Sequence, residues 1–148
     1  MRRLFLILIL SAPLPLLAQD DSREGLDFFE AKIRPMLVKH CYECHSVGAA
    51  AKKKLKGGLL LDSREASRKG GESGPAVVPG KPEENELISR IFALEEDEVM
   101  PPPDEKTKQL TAGEKQVLRQ WIAQGAKYEK HWSFMAPVRP VVPATGNW

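Results

Sequence analysis

The sequence predicts an all-α fold in which three main helices are joined by long loops rich in glycine and proline. Three segments repeat apolar residues at the spacing of a helix, and Gly/Pro pairs between them mark turns. The length of 148 residues predicts one domain with additional segments. Only 7% of the residues are aromatic, so the core has few large side chains and a bound apolar group could help to complete it.

The first helix is predicted over Asp27 to Val38, after a polar stretch from Asp20 to Gly25 that is expected to be frayed. Pro35 lies inside this helix, where it removes a backbone donor and crowds the carbonyl four residues earlier. We therefore expect a kink or two short turns. The apolar residues that define the helix are Phe28, Phe29, Ile33, Met36 and Leu37.

The second helix is predicted to begin at Pro82, because proline suits the first helical position and the next two residues are acidic. It is expected to end in the acidic run 95–98. The sequence Met100-Pro101-Pro102-Pro103 then predicts an extended loop, since three prolines forbid a helix. The apolar stripe of this helix is Leu87, Ile88, Ile91 and Phe92.

The third helix has the clearest boundaries. Thr111 and Glu114 form a capping box at its start, and Gly125 gives the stop signal. Its buried stripe is predicted to contain Trp121, whose role we interpret as packing. Residues 46–82 are expected to lack long regular elements, although the Leu59-Leu60-Leu61 run should be buried.

Residues 1–18 are predicted to be a secretory signal peptide. Arg2 and Arg3 give a basic start, Leu4 to Leu10 is apolar, and cleavage is expected after Ala18. A retained membrane anchor is the alternative, but two prolines shorten a run that needs about 20 apolar residues to span a bilayer. We expect the periplasm or cell envelope, with no transmembrane span after cleavage.

Cleavage also changes the charge balance. The 22 basic residues of the full chain fall to 20, which equals its 20 acidic residues. The mature chain therefore has a formal charge of zero, and this overall charge does not favour a nucleic-acid partner.

The only two cysteines carry the strongest chemical signal. Cys41 and Cys44 lie three apart, and His45 follows directly, which is the pattern of c-type haem attachment. Two thiols at this spacing form thioethers with the two haem vinyl groups, and the histidine serves as the proximal iron ligand. A disulfide, a thioredoxin-like redox pair and a zinc site completed by His40 or His131 are the alternatives.

The sixth iron position has several candidate ligands, of which Met100 is preferred. It lies far from His45 in sequence, on a loop that the prolines stiffen. The alternative role for this methionine is gap-filling in the core. The other candidates are Met36, Met135, His40 and His131, and His40 is expected to be a partly exposed histidine without a special role.

With these residues assigned, about residues 27–128 resemble the planctomycete-type cytochrome c domain, a haem module usually found at the N-terminus of large exported proteins. The shared runs are FEAKIRP (29–35), KGGLLLD (56–62), GGESGPAVVPGKP (70–82), MPPP (100–103), LT (110–111) and WIAQGA (121–126). The resemblance implies a small class I-like cytochrome c fold, with the haem between the crossing first and last helices. It also implies Cys41 and Cys44 as attachment residues, His45 as proximal ligand and Met100 as the expected distal ligand.

Together, the predicted signal peptide and this resemblance divide the chain into a signal peptide (1–18), a cytochrome c domain (19–128) and a C-terminal tail or linker (129–148). The tail is similar to segments that lead into further domains, so the partner is expected to be a redox protein or a fused or associated C-terminal domain. A lysine-rich insert around Ala49 to Lys54 departs from the family pattern, and its basic residues Lys52, Lys53 and Lys54 are followed by Lys56. It is either a solvated basic loop or a docking patch for an acidic redox partner.

Three functions fit this set of residues. The first is a monohaem electron-transfer module rather than an enzyme, because methionine–histidine ligation closes the iron. The second is a five-coordinate haem sensor or peroxidase-like site, which requires that Met100 is not a ligand. The third is a structural haem module of a cell-surface protein. All three require one covalently attached haem c.

Overall fold

The computed structural model describes residues 23–103 and 109–129, and its regular elements there are helices. They are α1 (Arg23–Phe28), a π-helical turn (Phe29–Ile33), α2 (Arg34–His40), α3 (Val47–Ala51), α4 (Arg64–Lys69), a 3₁₀ turn (Pro82–Glu84), α5 (Glu86–Phe92) and α6 (Ala112–Ala123). The all-α prediction is confirmed, and within the described ranges the only β-type pairing is one bridge between Gly71 and Gly74.

The ends of the chain lie outside this description. The predicted signal peptide and residues 130–148 of the predicted tail are not among the described residues. Within the described residues 23–103 and 109–129, no helix is both long enough and apolar enough to cross a membrane.

The first helical stretch shows how Pro35 is accommodated. The π-helical turn widens the backbone before α2, and the Arg34 N–H bonds to the Phe29 carbonyl five residues back. Pro35 then falls in the first turn of α2, where its missing N–H is tolerated. A π-helical turn within one continuous helical stretch therefore takes the place of the expected kink or two short turns, and this stretch begins at Arg23, within the segment predicted to be frayed.

An aromatic cluster joins the first and last helical segments. Trp121 of α6 is 2% exposed, and its ring centroid lies 5.8 Å from that of Phe29 in the π-helical turn. Tyr128 packs on the same Phe29 ring at 4.3 Å. The Trp121 Nε1–H donates to the Lys127 carbonyl at 2.7 Å, so the polar edge of the indole is also satisfied. The packing role predicted for Trp121 is confirmed.

The predicted boundaries hold for α6 and fail for α5. Thr111 and Glu114 form the capping box, and Gly125 closes α6 with a φ of 95°. Pro82, by contrast, opens a 3₁₀ turn rather than the α-helix. The side-chain amide of Asn85 donates to the carbonyls of Val78 and Lys81, and α5 begins only after it.

Two short helices occupy the segment expected to be irregular. Ser46 and Ser63 accept hydrogen bonds from backbone amides three residues ahead and so cap the starts of α3 and α4. At the other end of α3, the Lys54 N–H bonds to the Ala49 carbonyl at 2.8 Å, which closes the helix. This closure holds Lys53 at a φ of 56°, a left-handed conformation that costs a side-chain-bearing residue about 1–2 kcal/mol.

Candidate functional site

The two cysteines lie on one tight turn at the end of α2. The Cys44 and His45 amides both donate to the Cys41 carbonyl, at 3.2 and 2.9 Å. Both thiols are free and half-buried. This turn, residues 41–45, is called the attachment turn below, because it offers two sulfur atoms and an imidazole from one short stretch of backbone.

His45 has an imidazole nitrogen without a partner. Its Nδ1 is buried and forms no hydrogen bond within the described part of the chain. Burial lowers the pKa of His45, with an opposing contribution from the backbone of Leu59 and Lys56, so the ring favours the neutral form that coordinates metals. Two free thiols beside a histidine whose ring favours the neutral form fit the donor set that a covalently attached haem requires.

The loop after α3 folds back onto the attachment turn. The Lys56 N–H donates to the Cys44 carbonyl at 3.2 Å, and the Leu61 N–H donates to the His45 carbonyl at 2.9 Å. Leu61 is buried and its two leucine neighbours are half-buried, so the burial predicted for this run is complete only at Leu61.

Two tyrosines secure this arrangement, and the sequence analysis missed both. The Tyr128 hydroxyl donates to the Leu61 carbonyl at 2.7 Å and lies 3.0 Å from the Tyr42 hydroxyl. Burial raises the pKa of both tyrosines, so both remain protonated hydrogen-bond donors. Tyr42 could have been noticed from its place between the cysteines. Tyr128 gives no such signal, because its partners are distant in sequence.

The competing interpretations of the cysteines find no support in the described residues. Burial, followed by the proximity of Cys44, raises the pKa of Cys41 to about 12, whereas thioredoxin-like chemistry needs a low-pKa thiol. No group of three or more His, Cys, Asp or Glu side chains that could hold a metal ion lies within residues 23–103 and 109–129. The structure shows no disulfide between Cys41 and Cys44.

Met100 is held by a separate part of the fold. It is half-buried, and its N–H donates to the Arg90 carbonyl of α5 at 3.0 Å. The side-chain amide of Gln109 donates to the Pro101 carbonyl, which ties the proline loop to the start of the segment leading into α6. These bonds fix the Met100 loop to α5 and to the approach to α6. Ligation by Met100 stays a prediction.

The prediction that His40 is partly exposed was wrong. Its side chain is 1% exposed, and Nε2 lies 3.3 Å from Oε1 of Glu114 in α6. Lys39 Nζ approaches the same oxygen at 3.0 Å. A tertiary contact causes this burial. The capping box of α6 places Glu114 beside His40, which is the last residue of α2 and directly precedes Cys41.

Glu114 should make the stability of the chain sensitive to acid. Its bonds to the Thr111 backbone, and then those to Lys39 and His40, lower its pKa from 4.5 to about 2. A carboxylate with a lowered pKa stabilises the fold above pH 4.5, and this contribution is lost as the pH falls toward 2. Glu114→Gln should therefore reduce the free energy of unfolding by roughly 1–2 kcal/mol at neutral pH.

Urea unfolding of the wild type and Glu114→Gln across this pH range measures the effect. The difference between the two proteins should shrink as the pH falls from 4.5 toward 2, because the carboxyl of the unfolded wild type takes up a proton first and that of the folded protein only near pH 2. A difference that stays constant down to the lowest pH would show that the charge of Glu114 does not stabilise the fold.

Two cavities in the described structure lie away from these residues. One of about 380 Å³ is lined by α1 and α6 residues such as Phe28 and Trp121. Another of about 450 Å³ is lined by loop residues such as Gly58 and Leu60. Neither is lined by Cys41, Cys44, His45 or Met100. The donor chemistry of the attachment turn, rather than cavity size, therefore identifies the site.

Comparison with known proteins gives one match. Residues 41–104, which run from the first cysteine through the Met100 loop, match the family described as planctomycete cytochrome C. Neither the curated proteins nor the solved structures contain a match to this chain. The match agrees with the attachment turn and the all-α fold, and it supports the resemblance of this chain to the planctomycete-type cytochrome c domain.

Proposed function

We propose that the chain is an exported monohaem c-type cytochrome module that transfers electrons. The observation that carries the proposal is the attachment turn, with its two free thiols and a histidine whose buried Nδ1 has no partner among the described residues. The family match over residues 41–104 supports a haem-binding domain. The electron-transfer function, the iron ligands and the cellular location are our proposals.

In this proposal each residue of the site has a defined task. Cys41 and Cys44 attach one haem c through thioethers, and His45 supplies the proximal ligand. The bound haem supplies a one-electron carrier. The backbone bonds from Leu61 and Lys56 to the attachment turn hold the backbone of Cys44 and His45 in place. A fixed ligand set needs little reorganisation, which favours rapid electron transfer.

Met100 is proposed as the distal ligand. The Met100 loop is hydrogen-bonded to α5, and three prolines restrict its backbone conformations. A ligand on this loop therefore loses little conformational entropy when it binds. A haem held by both His45 and Met100 would have no open site for a small ligand, which would suit electron transfer. A sensor or peroxidase-like site would require an open position instead.

Replacing Met100 with alanine tests this assignment. The wild-type ferric protein should show the weak near-infrared band of methionine–iron ligation, and the reduced protein should not bind carbon monoxide. Met100→Ala should lose the band and gain carbon monoxide binding, because its sixth position is open.

Met36→Leu is the matched control, since Met36 is a buried core methionine of α2 that a leucine can replace. This variant should keep the band and exclude carbon monoxide. If the wild type lacks the band and already binds carbon monoxide, then the iron is open and the sensor or peroxidase-like function replaces electron transfer.

A further inference from the structure

Tyr128 is anchored through the residues on both sides of it and through its ring. The Trp121 Nε1–H donates to the carbonyl of the preceding residue, Lys127, at 2.7 Å. An Arg34 N–H donates to the carbonyl of the following residue, Glu129, at 2.6 Å. The Tyr128 ring packs in the aromatic cluster between α6 and the π-helical turn, and the residue is 7% exposed. These contacts leave the Tyr128 hydroxyl little freedom of direction.

The Tyr128 hydroxyl lies in a directed chain of hydrogen bonds. It donates its single hydrogen to the Leu61 carbonyl at 2.7 Å. The Tyr42 hydroxyl lies 3.0 Å from it and is therefore the donor of the bond between the two hydroxyls. Hydrogen bonds in series polarise one another, so the bond to Leu61 is stronger than an isolated one. Tyr42 and Tyr128, called the hydroxyl pair below, thus act on Leu61 together.

Leu61 connects the hydroxyl pair to the candidate iron ligand. Its carbonyl accepts from Tyr128, and its N–H donates to the His45 carbonyl at 2.9 Å. The His45 N–H bonds in turn to the Cys41 carbonyl at 2.9 Å, so both polar groups of the His45 backbone are paired. Two rotatable bonds join the imidazole to this backbone. A displacement of the backbone at His45 therefore also displaces the ring.

The position of Tyr42 gives the hydroxyl pair a second link to the attachment turn. Tyr42 stands between the two cysteines, and its carbonyl accepts from the Ser46 hydroxyl at 2.6 Å. Its side chain reaches Tyr128, 86 residues away along the chain, from within the turn itself. A phenylalanine at either position would fill nearly the same volume, so the two hydroxyls serve the hydrogen bonds rather than the packing.

We propose that the hydroxyl pair positions His45 toward the haem iron, with Tyr128 acting through Leu61 and Tyr42 reinforcing it. The inference rests on the proposed haem site and deepens it, because it names the residues that fix the orientation of the proximal ligand. An imidazole held in one orientation is a good donor to ferric iron, which stabilises the ferric state and lowers the reduction potential. Release of Leu61 should therefore broaden the range of ligand orientations and raise the potential.

Tyr128→Phe tests this role in the haem-loaded protein, because it removes the hydroxyl and keeps the ring. Haem should stay attached, but the ferric electron paramagnetic resonance signal should broaden and shift, since its g-values report the orientation of the axial ligands. With a redox mediator of fixed potential, the ratio of reduced to oxidised protein should rise severalfold. The Leu61 amide should exchange its hydrogen roughly three- to tenfold faster, because its bond to His45 opens more often.

Two further variants locate the effect. Tyr42→Phe leaves the bond from Tyr128 to Leu61 in place and should shift the signal in the same direction, but less than Tyr128→Phe does. In the double variant the two changes should not add, because both act through Leu61. Ser67→Ala is the matched control, since it removes another hydroxyl that donates to a carbonyl, on a residue of α4 that is 2% exposed. It should leave the g-values and the redox ratio unchanged.

The outcomes separate the positioning role from the proposed function. Unchanged g-values and an unchanged redox ratio in Tyr128→Phe would overturn the positioning role, even if this variant were less stable than the wild type. Equal shifts in Ser67→Ala would overturn it as well. A wild type without covalent haem would instead refute the proposed function. Exchange of the Leu61 amide can still be measured in that protein, and equal rates in Tyr128→Phe and the wild type would show that the hydroxyl pair does not hold Leu61.

Discussion

Replacing Trp121 with alanine should lower the free energy of unfolding by about 3–5 kcal/mol. The indole is 2% exposed and packs against the Phe29 ring of the π-helical turn, so truncation leaves a cavity where α6 meets the first helical segment. It also leaves the Lys127 carbonyl without the donor it has at 2.7 Å. Guanidinium unfolding of both proteins, monitored by far-ultraviolet circular dichroism, measures the change.

Val38→Ala serves as the control for this measurement. Val38 lies in α2 but is 55% exposed, so its truncation should change the free energy of unfolding by no more than about 0.5 kcal/mol. A loss of less than about 1 kcal/mol in Trp121→Ala would mean that the aromatic cluster does not stabilise the contact between the first and last helices.

Loss of both cysteines should abolish covalent haem attachment, the largest effect expected under the proposed function. In Cys41→Ala/Cys44→Ala no thiol remains in the chain, so any haem held by His45 should be removed by acidified organic solvent. Each single variant should keep its haem through one thioether. The amount of haem that stays with the polypeptide after extraction measures the outcome.

Glu43→Gln is a suitable control, because this exposed residue lies on the same turn and carries neither sulfur nor a role in attachment. It should retain haem like the wild type. Extraction-resistant haem in the double cysteine variant would show that the attachment turn does not carry the thioethers.

Much of the fold follows from local signals in the sequence. The capping box at Thr111 and Glu114, the stop at Gly125 and the buried Trp121 were all predicted, because each depends on residues within a few positions along one helix. The caps at Ser46 and Ser63 were equally local and could have revealed α3 and α4.

The features that the sequence did not predict depend on long-range contacts. His40 is buried because Glu114, 74 residues away, covers the end of α2. The attachment turn is braced by Tyr128 through the carbonyl of Leu61, 67 residues before it. No periodicity or spacing encodes such pairs. The start of α5 was misplaced for a local reason, since the Asn85 side chain bonds to carbonyls four and seven residues earlier, before the helix begins.

The candidate site was only partly predictable. Cys41, Cys44 and His45 form a contiguous motif, so their proximity was certain from the chain itself. The unpaired Nδ1 and the lowered pKa of His45 depend on burial, which only the fold provides. Met100 is separated from them by the three helices α3, α4 and α5, and its ligation stays a prediction.

The measurement that tests the central claim most directly is the pyridine haemochrome spectrum of the mature wild-type protein, produced together with haem-maturation machinery. The proposed function predicts one haem per chain, a spectrum shifted to that of a haem with both vinyl groups saturated, and no haem released by acidified organic solvent. A protein that carries no haem, or one whose haem is fully extracted and gives the spectrum of unmodified vinyl groups, would contradict it.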